Sequence, residues 1–146
     1  MKKILVLAMV AVALISGCGT TTGAAKSADL SKLTPTQVVE TYYNSIATGD
    51  YSTAKNCLSD EIGQQYVNAP DADFKNTKQL TDLKVSPAAP IKLYGKNFDE
   101  VQVTAEYSAE NKKMITSNSG KQIRFIYVAQ KEKDSPWKII SIGTGP

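Results

Sequence analysis

The feature that most constrains the fold of this chain is that a helical hydrophobic periodicity comes first and a strand periodicity follows it. From Thr34 to about Val67, apolar residues recur at spacings of three and four, which predicts amphipathic helices. From about Leu80 to Ile142, apolar and polar residues tend to alternate, as is typical of strands with one covered face. Helices followed by strands that short turns connect predict an α+β domain with an antiparallel sheet.

The first predicted helix has the clearest boundaries. Thr34 is suited to the N-cap, Pro35 to the first helical position, and Gln37 completes a capping box. Gly49 is expected to end the helix because glycine readily adopts the left-handed conformation of a helix C-terminus. Two shorter helices are predicted to follow before Pro70, the first capped by Asp50 and the second by Ser59.

Five extended segments are predicted after the helices. They contain Leu83 and Val85, Ile91 and Leu93, Glu100–Tyr107, Lys121–Lys131, and Trp137–Ile142. The third alternates most regularly, so its glutamates Glu100 and Glu106 are expected to lie on a solvated face. The fourth is apolar on both faces, which indicates that both are partly covered.

The beginning of the chain is expected to lie outside this domain. Lys2 and Lys3 precede an uncharged apolar run, residues 4–15, which is typical of a signal peptide. The run is shorter than the roughly 20 apolar residues that a membrane-spanning helix needs. The signal peptide is therefore predicted to occupy residues 1–17.

The residues that precede Cys18 resemble a bacterial lipobox, which ends in two small residues and a cysteine. The resemblance implies cleavage after Gly17 and a diacylglyceryl group on the Cys18 thiol; an ordinary secretory signal is the alternative. Residues 18–33 would then form a lipidated cysteine and a flexible tether, and residues 34–146 a single domain at the outer face of the cytoplasmic membrane. Two acyl chains would supply the stable anchoring that one chain does not.

Charge and residue usage exclude several classes of function. The chain has 17 basic and 14 acidic residues, and removal of Lys2 and Lys3 leaves a net charge of about +1, so no nucleic acid partner is expected. The absence of histidine excludes the usual Ser-His-Asp and Cys-His sites and argues against zinc, so neither a metal nor a cofactor is expected. With Cys18 acylated, Cys57 has no disulfide partner and is expected to be a small buried side chain.

Three features together resemble the nuclear transport factor 2-like, or cystatin-like, superfamily. They are the helix opened by Thr34-Pro35 with Tyr42 and Tyr43, the Gly49-Asp50-Tyr51 step, and the final Trp137-Lys138-Ile139 strand. The tail from Trp137 to Pro146 also resembles a domain of unknown function in lipoproteins of Gram-positive bacteria. The superfamily resemblance implies a first helix that lies across a curved antiparallel sheet and leaves a cone-shaped pocket.

Five residues are candidates for the lining of such a cavity: Tyr42, Tyr43, Tyr107, Arg124 and Tyr127. Ordinary core packing is the alternative for the tyrosines. Arg124 is expected to point to solvent, because an unpaired charge in an apolar strand is costly. Entry into the cavity, where it would bind an anion or pair with Glu106, is its alternative.

The expected function is that of a lipid-anchored, non-catalytic module that binds a small molecule or docks an envelope protein. A small lyase or isomerase that uses a carboxylate and tyrosines in the cone is the alternative, and a homodimer through the open sheet face is a third expectation. The depth and lining of the cavity discriminate between an enzyme and a docking module. A deep pocket with a carboxylate beside a tyrosine hydroxyl favours an enzyme, whereas a filled cone favours docking.

Overall fold

The computed structural model describes residues 29–69, 72–91, 95–114 and 118–144. The predicted signal peptide, the cleavage at Gly17, the lipidated Cys18 and most of the tether lie outside these residues. The described chain is an α+β structure in which helices pack on an open antiparallel sheet of five strands. This confirms the predicted α+β class and the antiparallel sheet.

The three predicted helices, α1 to α3, begin and end close to the predicted positions, and a fourth, single-turn helix was not predicted. After a short 3-10 turn they are α1 (Pro35–Thr48), α2 (Tyr51–Cys57), α3 (Asp60–Asn68) and a single turn, α4 (Asp73–Asn76). The capping box of α1 is present: the Thr34 amide donates to Gln37 Oε1 over 2.9 Å, and the Gln37 amide donates to Thr34 Oγ1 over 3.3 Å. Gly49 ends α1 in the left-handed conformation, with φ of 77°.

The caps of the next two helices differ from each other. Asp50 caps α2 as predicted, because its carboxylate accepts the Thr53 amide over 3.1 Å. Ser59 holds the N-cap position of α3, but its side chain makes no capping hydrogen bond. The Ser59 amide instead donates to the Ile139 carbonyl over 2.8 Å and thereby ties the start of α3 to the last strand.

The sheet contains β1 (Thr77–Val85), β2 (Ala89–Pro90), β3 (Asp99–Asn111), β4 (Gly120–Gln130) and β5 (Lys138–Gly143). Its order is β1-β3-β4-β5, with β2 beside β3, and every pair is antiparallel. β3 is the longest strand and pairs with three others, so it positions the residues of both faces.

The core lies between α1 and one face of the sheet, which we call the inner face. Its fully buried members on the sheet are Val103 and Ala105 of β3, Ile126 and Val128 of β4, and Ile139 of β5. From α1, the side chains of Val38, Val39, Tyr42 and Tyr43 are also inaccessible to solvent. On the opposite face, which we call the outer face, Ile123 is 51% exposed and Phe125 and Tyr127 are half-buried.

One predicted strand is displaced. The segment around Ile91 and Leu93 was expected to be extended, but the paired residues are Ala89 and Pro90, which lie opposite Gln102 and Val101 of β3. Ile91 only donates its amide to the Glu100 carbonyl, over 3.0 Å, and Leu93 is outside the described residues.

Candidate functional site

Three of the candidate tyrosines pack against one another beneath α1. The Tyr42 and Tyr43 rings meet edge to face, with centroids 4.9 Å apart and planes at 81°. The Tyr43 ring lies 4.8 Å from that of Tyr107 on β3, tilted by 41°. Both α1 tyrosines are fully buried, and the contact between Tyr43 and Tyr107 joins α1 to β3.

Asp73 and Arg124 meet the tyrosine cluster at its edge. The turn α4 places Asp73, and β4 places Arg124, in the wall of one small recess that Tyr107 also lines. The free volume of the recess is about 10 Å³, which is enough for a single water molecule. Pockets that bind small molecules usually measure about 300–1,000 Å³, so this recess is too small to hold such a ligand.

Burial and the nearby Asp73 carboxylate keep the hydroxyls of the three tyrosines protonated. Burial is the main cause that raises the pKa of Tyr42, Tyr43 and Tyr107, and the negative Asp73 carboxylate raises all three further. For Tyr107, the Arg124 guanidinium acts in the opposite direction and partly offsets this. At neutral pH these groups are therefore hydrogen-bond donors, which excludes them as general bases.

Two of these tyrosine hydroxyls lack the hydrogen bonds expected of buried polar groups. The Tyr42 hydroxyl is buried and has no hydrogen-bond partner among the described residues. The Tyr43 hydroxyl interacts electrostatically with that of Tyr107 but makes no hydrogen bond of standard geometry in the described chain. A buried polar group left in this state costs about 1–3 kcal/mol.

The expectation that Arg124 points to solvent is wrong. Its side chain is only 8% exposed and lies on the inner face with Ile126 and Val128, because alternate residues of β4 share a face. The guanidinium donates to the Ile123 carbonyl over 3.3 Å. The alternative pairing with Glu106 is wrong as well, since Glu106 is exposed on the outer face, opposite Ile123.

Tyr127 does not join the other four candidates. It lies on the outer face of β4, between Gln102 of β3 and Ser141 of β5 in the pairing register, and is half-buried. The structure thus brings Tyr42, Tyr43, Tyr107 and Arg124 together and separates Tyr127 from them by the thickness of the sheet.

The outer face carries an apolar strip along β4. Ile123, Phe125 and Tyr127 follow one another on this face, and the Ile123 side chain is 51% exposed. Their cross-strand neighbours on β3 are the polar residues Gln102, Thr104 and Glu106. An exposed apolar strip with a polar border is typical of a surface that contacts another protein.

A larger cavity lies elsewhere, at the loop between β2 and β3. Its volume is about 380 Å³, and Pro90, Ile91, Phe98, Asp99 and Glu100 contribute to its wall. Residues 92–94 of the same loop are outside the described part of the chain.

Glu100 was expected to be solvated, but its side chain is only 5% exposed. Asn97 accounts for part of this difference, because its amide donates to Glu100 Oε1 over 2.7 Å. Strand alternation could not show that the side chain of Asn97 contacts this carboxylate.

The sequence did not indicate that Asp73 and Asn76 would help to form the candidate site. Asn76 is buried and exchanges two hydrogen bonds with the backbone of Lys113, donating over 2.9 Å and accepting over 3.0 Å, which fixes α4 against the end of β3. The only signal was an acidic residue before Phe74, suited to a first helical turn. Four residues are too few to show a helical period.

Two searches for other kinds of site gave negative findings. No group of three or more histidine, cysteine, aspartate or glutamate residues in the described ranges is arranged to hold a metal ion. No helix within those ranges has the length and hydropathy needed to cross a membrane.

Comparison with known proteins gave one match. The model of a domain of unknown function, DUF4829, matches residues 36–143, from the first turn of α1 to the end of β5. Searches of curated proteins and of solved structures found no match. Because the matched segment covers most of the chain and all of the core described above, this protein belongs to the DUF4829 family of domains of unknown function.

Proposed function

We propose that this protein is a lipid-anchored lipoprotein of the cell envelope whose domain acts by contact with protein through the outer face of its sheet. Two observations support contact over catalysis. The recess beside the buried tyrosines has room for about one water molecule, whereas the outer face carries an apolar strip with an exposed Ile123 at one end. The second observation carries the proposal, because apolar surface with a polar border is typical of a site that contacts another protein.

The anchor is inferred from the lipobox-like residues that end at Cys18. A diacylglyceryl group at that position, followed by a tether, would hold the domain near the outer face of the cytoplasmic membrane and leave the sheet free to reorient. The superfamily assignment is also an inference. The placement of α1 across one face of the antiparallel sheet supports a nuclear transport factor 2-like fold.

The test of the anchor uses Cys18→Ser. Cells that express the wild type should incorporate labelled palmitate into the protein and retain it in the membrane fraction. The variant should lose the label and leave that fraction. Equal sedimentation of the two proteins with membranes would overturn the anchor.

The test of the contact surface uses photocrosslinking in cells. A benzophenone amino acid at position 123 should form a defined adduct, whose second component is identified by mass spectrometry. The same amino acid at position 133, in the exposed connection between β4 and β5, should form none. No adduct from position 123, or equal adducts from both positions, would overturn the proposal.

Binding of a small molecule is the second candidate, and one observation favours it. The cavity between β2 and β3 has the volume of a ligand site and combines the apolar Ile91 and Phe98 with the carboxyl groups of Asp99 and Glu100. A ligand there would be cationic and partly apolar. Native mass spectrometry of the purified protein should then show a bound molecule, which Glu100→Gln should reduce.

A further inference from the structure

A groove on the outer face lies beside Ile123, where β1 departs from regular pairing with β3. The register shifts between Thr81 and Lys84, and Asp82 adopts a positive φ of 57°, as in a β-bulge. The resulting groove has a volume of about 170 Å³ and a mainly apolar lining. We call it the Ile123 groove and define it by Asp82, Lys84, Glu106, Lys121 and Ile123.

The rim of the Ile123 groove carries two negative and two positive side chains. Asp82 and Glu106 supply the carboxylates, Lys84 and Lys121 supply the ammonium groups, and all four residues are exposed. Within the described ranges, these four charges form no ion pair with one another at 4.0 Å or less. A patch with balanced, unpaired charges around an apolar side chain is complementary to a second copy of itself.

We propose that the Ile123 groove is the contact between two copies of this chain, related by a two-fold axis that runs along β3. This inference rests on the proposed function, which assigns protein contact to the outer face. In the sheet, β1 and β4 flank β3, so such an axis exchanges the β1 side of one copy with the β4 side of the other. Lys121 on β4 of each copy then faces Asp82 on β1 of its partner.

The same axis explains the position of Ile123. Glu106 and Lys84 lie in register with Ile123 across three strands, so Ile123 sits on the β4 side of the groove and Lys84 on the β1 side. After the two-fold rotation, each Ile123 covers the groove of the partner and contacts the aliphatic part of its Lys84. The dimer thereby covers the Ile123 side chain of each copy and forms two ion pairs between Lys121 and Asp82.

The contact is small, so we expect it to be weak in free solution. Stable interfaces bury about 1,200–2,000 Å² in total, and one groove with its rim provides only part of this. If both copies are anchored to one membrane, their effective concentration rises and a weak contact suffices. Association should therefore be measured over a wide concentration range, from about 1 µM to about 1 mM.

The test uses the chain from Gly19 to Pro146, which keeps every residue of the described core because that core begins at Leu30. In sedimentation velocity, the wild type should shift from monomer to dimer as its concentration rises. Lys121→Glu and Asp82→Lys each place like charges at both symmetric contacts, so each should weaken the dimer about tenfold or more. An equimolar mixture of the two variants should restore the dimer, because both contacts between positions 121 and 82 are then between opposite charges.

Three controls make the result specific. Lys133→Glu makes the same charge change in the connection between β4 and β5 and should leave dimerisation unchanged. The double variant K121E/D82K should dimerise like the wild type, since it exchanges both partners. If D82K does not fold, as judged by circular dichroism, Asp82→Asn removes the charge, tolerates positive φ, and should weaken the dimer by a smaller factor.

Two results would overturn the dimer. One is a wild type that stays monomeric at every concentration, and the other is a mixture of K121E and D82K that associates no better than either alone. If the wild type is monomeric while position 123 crosslinks to a different protein in cells, the dimer is wrong and the proposed contact surface stands. If position 123 forms no crosslink in cells, the proposed function fails whatever the protein does in solution.

Discussion

The Tyr43 ring of α1 lies 4.8 Å from the Tyr107 ring of β3, centroid to centroid. This contact joins the first helix to the central strand of the sheet and closes the space in which a superfamily pocket was expected. Because an aromatic pair contributes about 0.5–1.5 kcal/mol beyond its buried area, the filled interior also stabilises the fold.

The unsatisfied hydroxyl of Tyr42 gives the first prediction. Tyr42→Phe keeps the buried ring and removes a hydroxyl that has no partner among the described residues, so the free energy of unfolding should stay equal or rise by about 1 kcal/mol. Tyr42→Ala, which also removes the ring, should lower it by about 3–5 kcal/mol. Urea denaturation followed by circular dichroism measures both. A clear loss of stability in the phenylalanine variant would show that the hydroxyl makes a favourable interaction.

The buried tyrosines predict a loss of stability at alkaline pH. Their pKa values are raised in the folded protein, above the value near 10 of the unfolded chain. Below pH 10 both states keep the phenol protons, and the stability is unaffected. Above pH 10 the unfolded state loses its protons first, so the free energy of unfolding should fall by about 1.4 kcal/mol per pH unit for each such tyrosine.

Urea denaturation at a series of pH values between neutrality and about pH 11 measures this slope. Tyr42→Phe removes one titrating group and should make the slope shallower. Tyr51, which is 41% exposed, provides the matched control, because Tyr51→Phe removes a tyrosine hydroxyl at the surface. Equal slopes in the wild type and the Tyr42 variant would contradict the assignment of Tyr42 to a dry environment.

Local signals in the sequence predicted α1 and the strong strands well. The capping box at Thr34 and the left-handed glycine at position 49 depend only on neighbouring residues, and both are present. The inner face of β3 was also predicted, because Val103 and Ala105 alternate with polar residues and are buried. These features required no knowledge of what packs against them.

The candidate site was harder to predict because it depends on contacts between distant segments. Arg124 was assigned to solvent on the cost of burying a charge, yet β4 turns it inward with Ile126 and Val128. Asp73 enters the site only because Asn76 binds the backbone near the end of β3, 37 residues later. No periodic pattern in one sequence encodes such a long-range contact.

Burial of Cys57 predicts a thiol that reacts slowly. The residue is fully buried, as expected from the sequence, and burial raises the pKa of the thiol to about 11. At pH 8 the protein from Gly19 to Pro146 should react with a thiol reagent only after unfolding, because the thiolate is the reactive form. Lys133→Cys, with an exposed thiol, should contain one fast and one slow group. Rapid modification of Cys57 in the folded wild type would contradict its burial.

Substitution by alanine should change the free energy of unfolding in opposite directions at two glycines, Gly49 and Gly63. Gly49 has a φ of 77° and open space around the position of a Cβ atom, so Gly49→Ala should lower the free energy of unfolding by about 1–2 kcal/mol through backbone strain alone. Gly63 lies inside α3, where an added Cβ would meet the Leu58 Cβ at an ordinary 3.9 Å. Gly63→Ala should therefore raise the stability by about 0.4–1 kcal/mol, because alanine favours the helix and restricts the unfolded chain.

Gly49→Asn tests whether backbone strain or steric crowding causes the loss of stability, since asparagine tolerates the left-handed conformation better than alanine does. It should lower the stability less than Gly49→Ala does, and urea denaturation of the three variants in one buffer measures the order. If both alanine variants lost stability equally, steric crowding rather than backbone conformation would govern these positions. Because the left-handed residue lets α1 end and α2 begin within two positions, the loss at Gly49 should also appear as faster amide hydrogen exchange in α2.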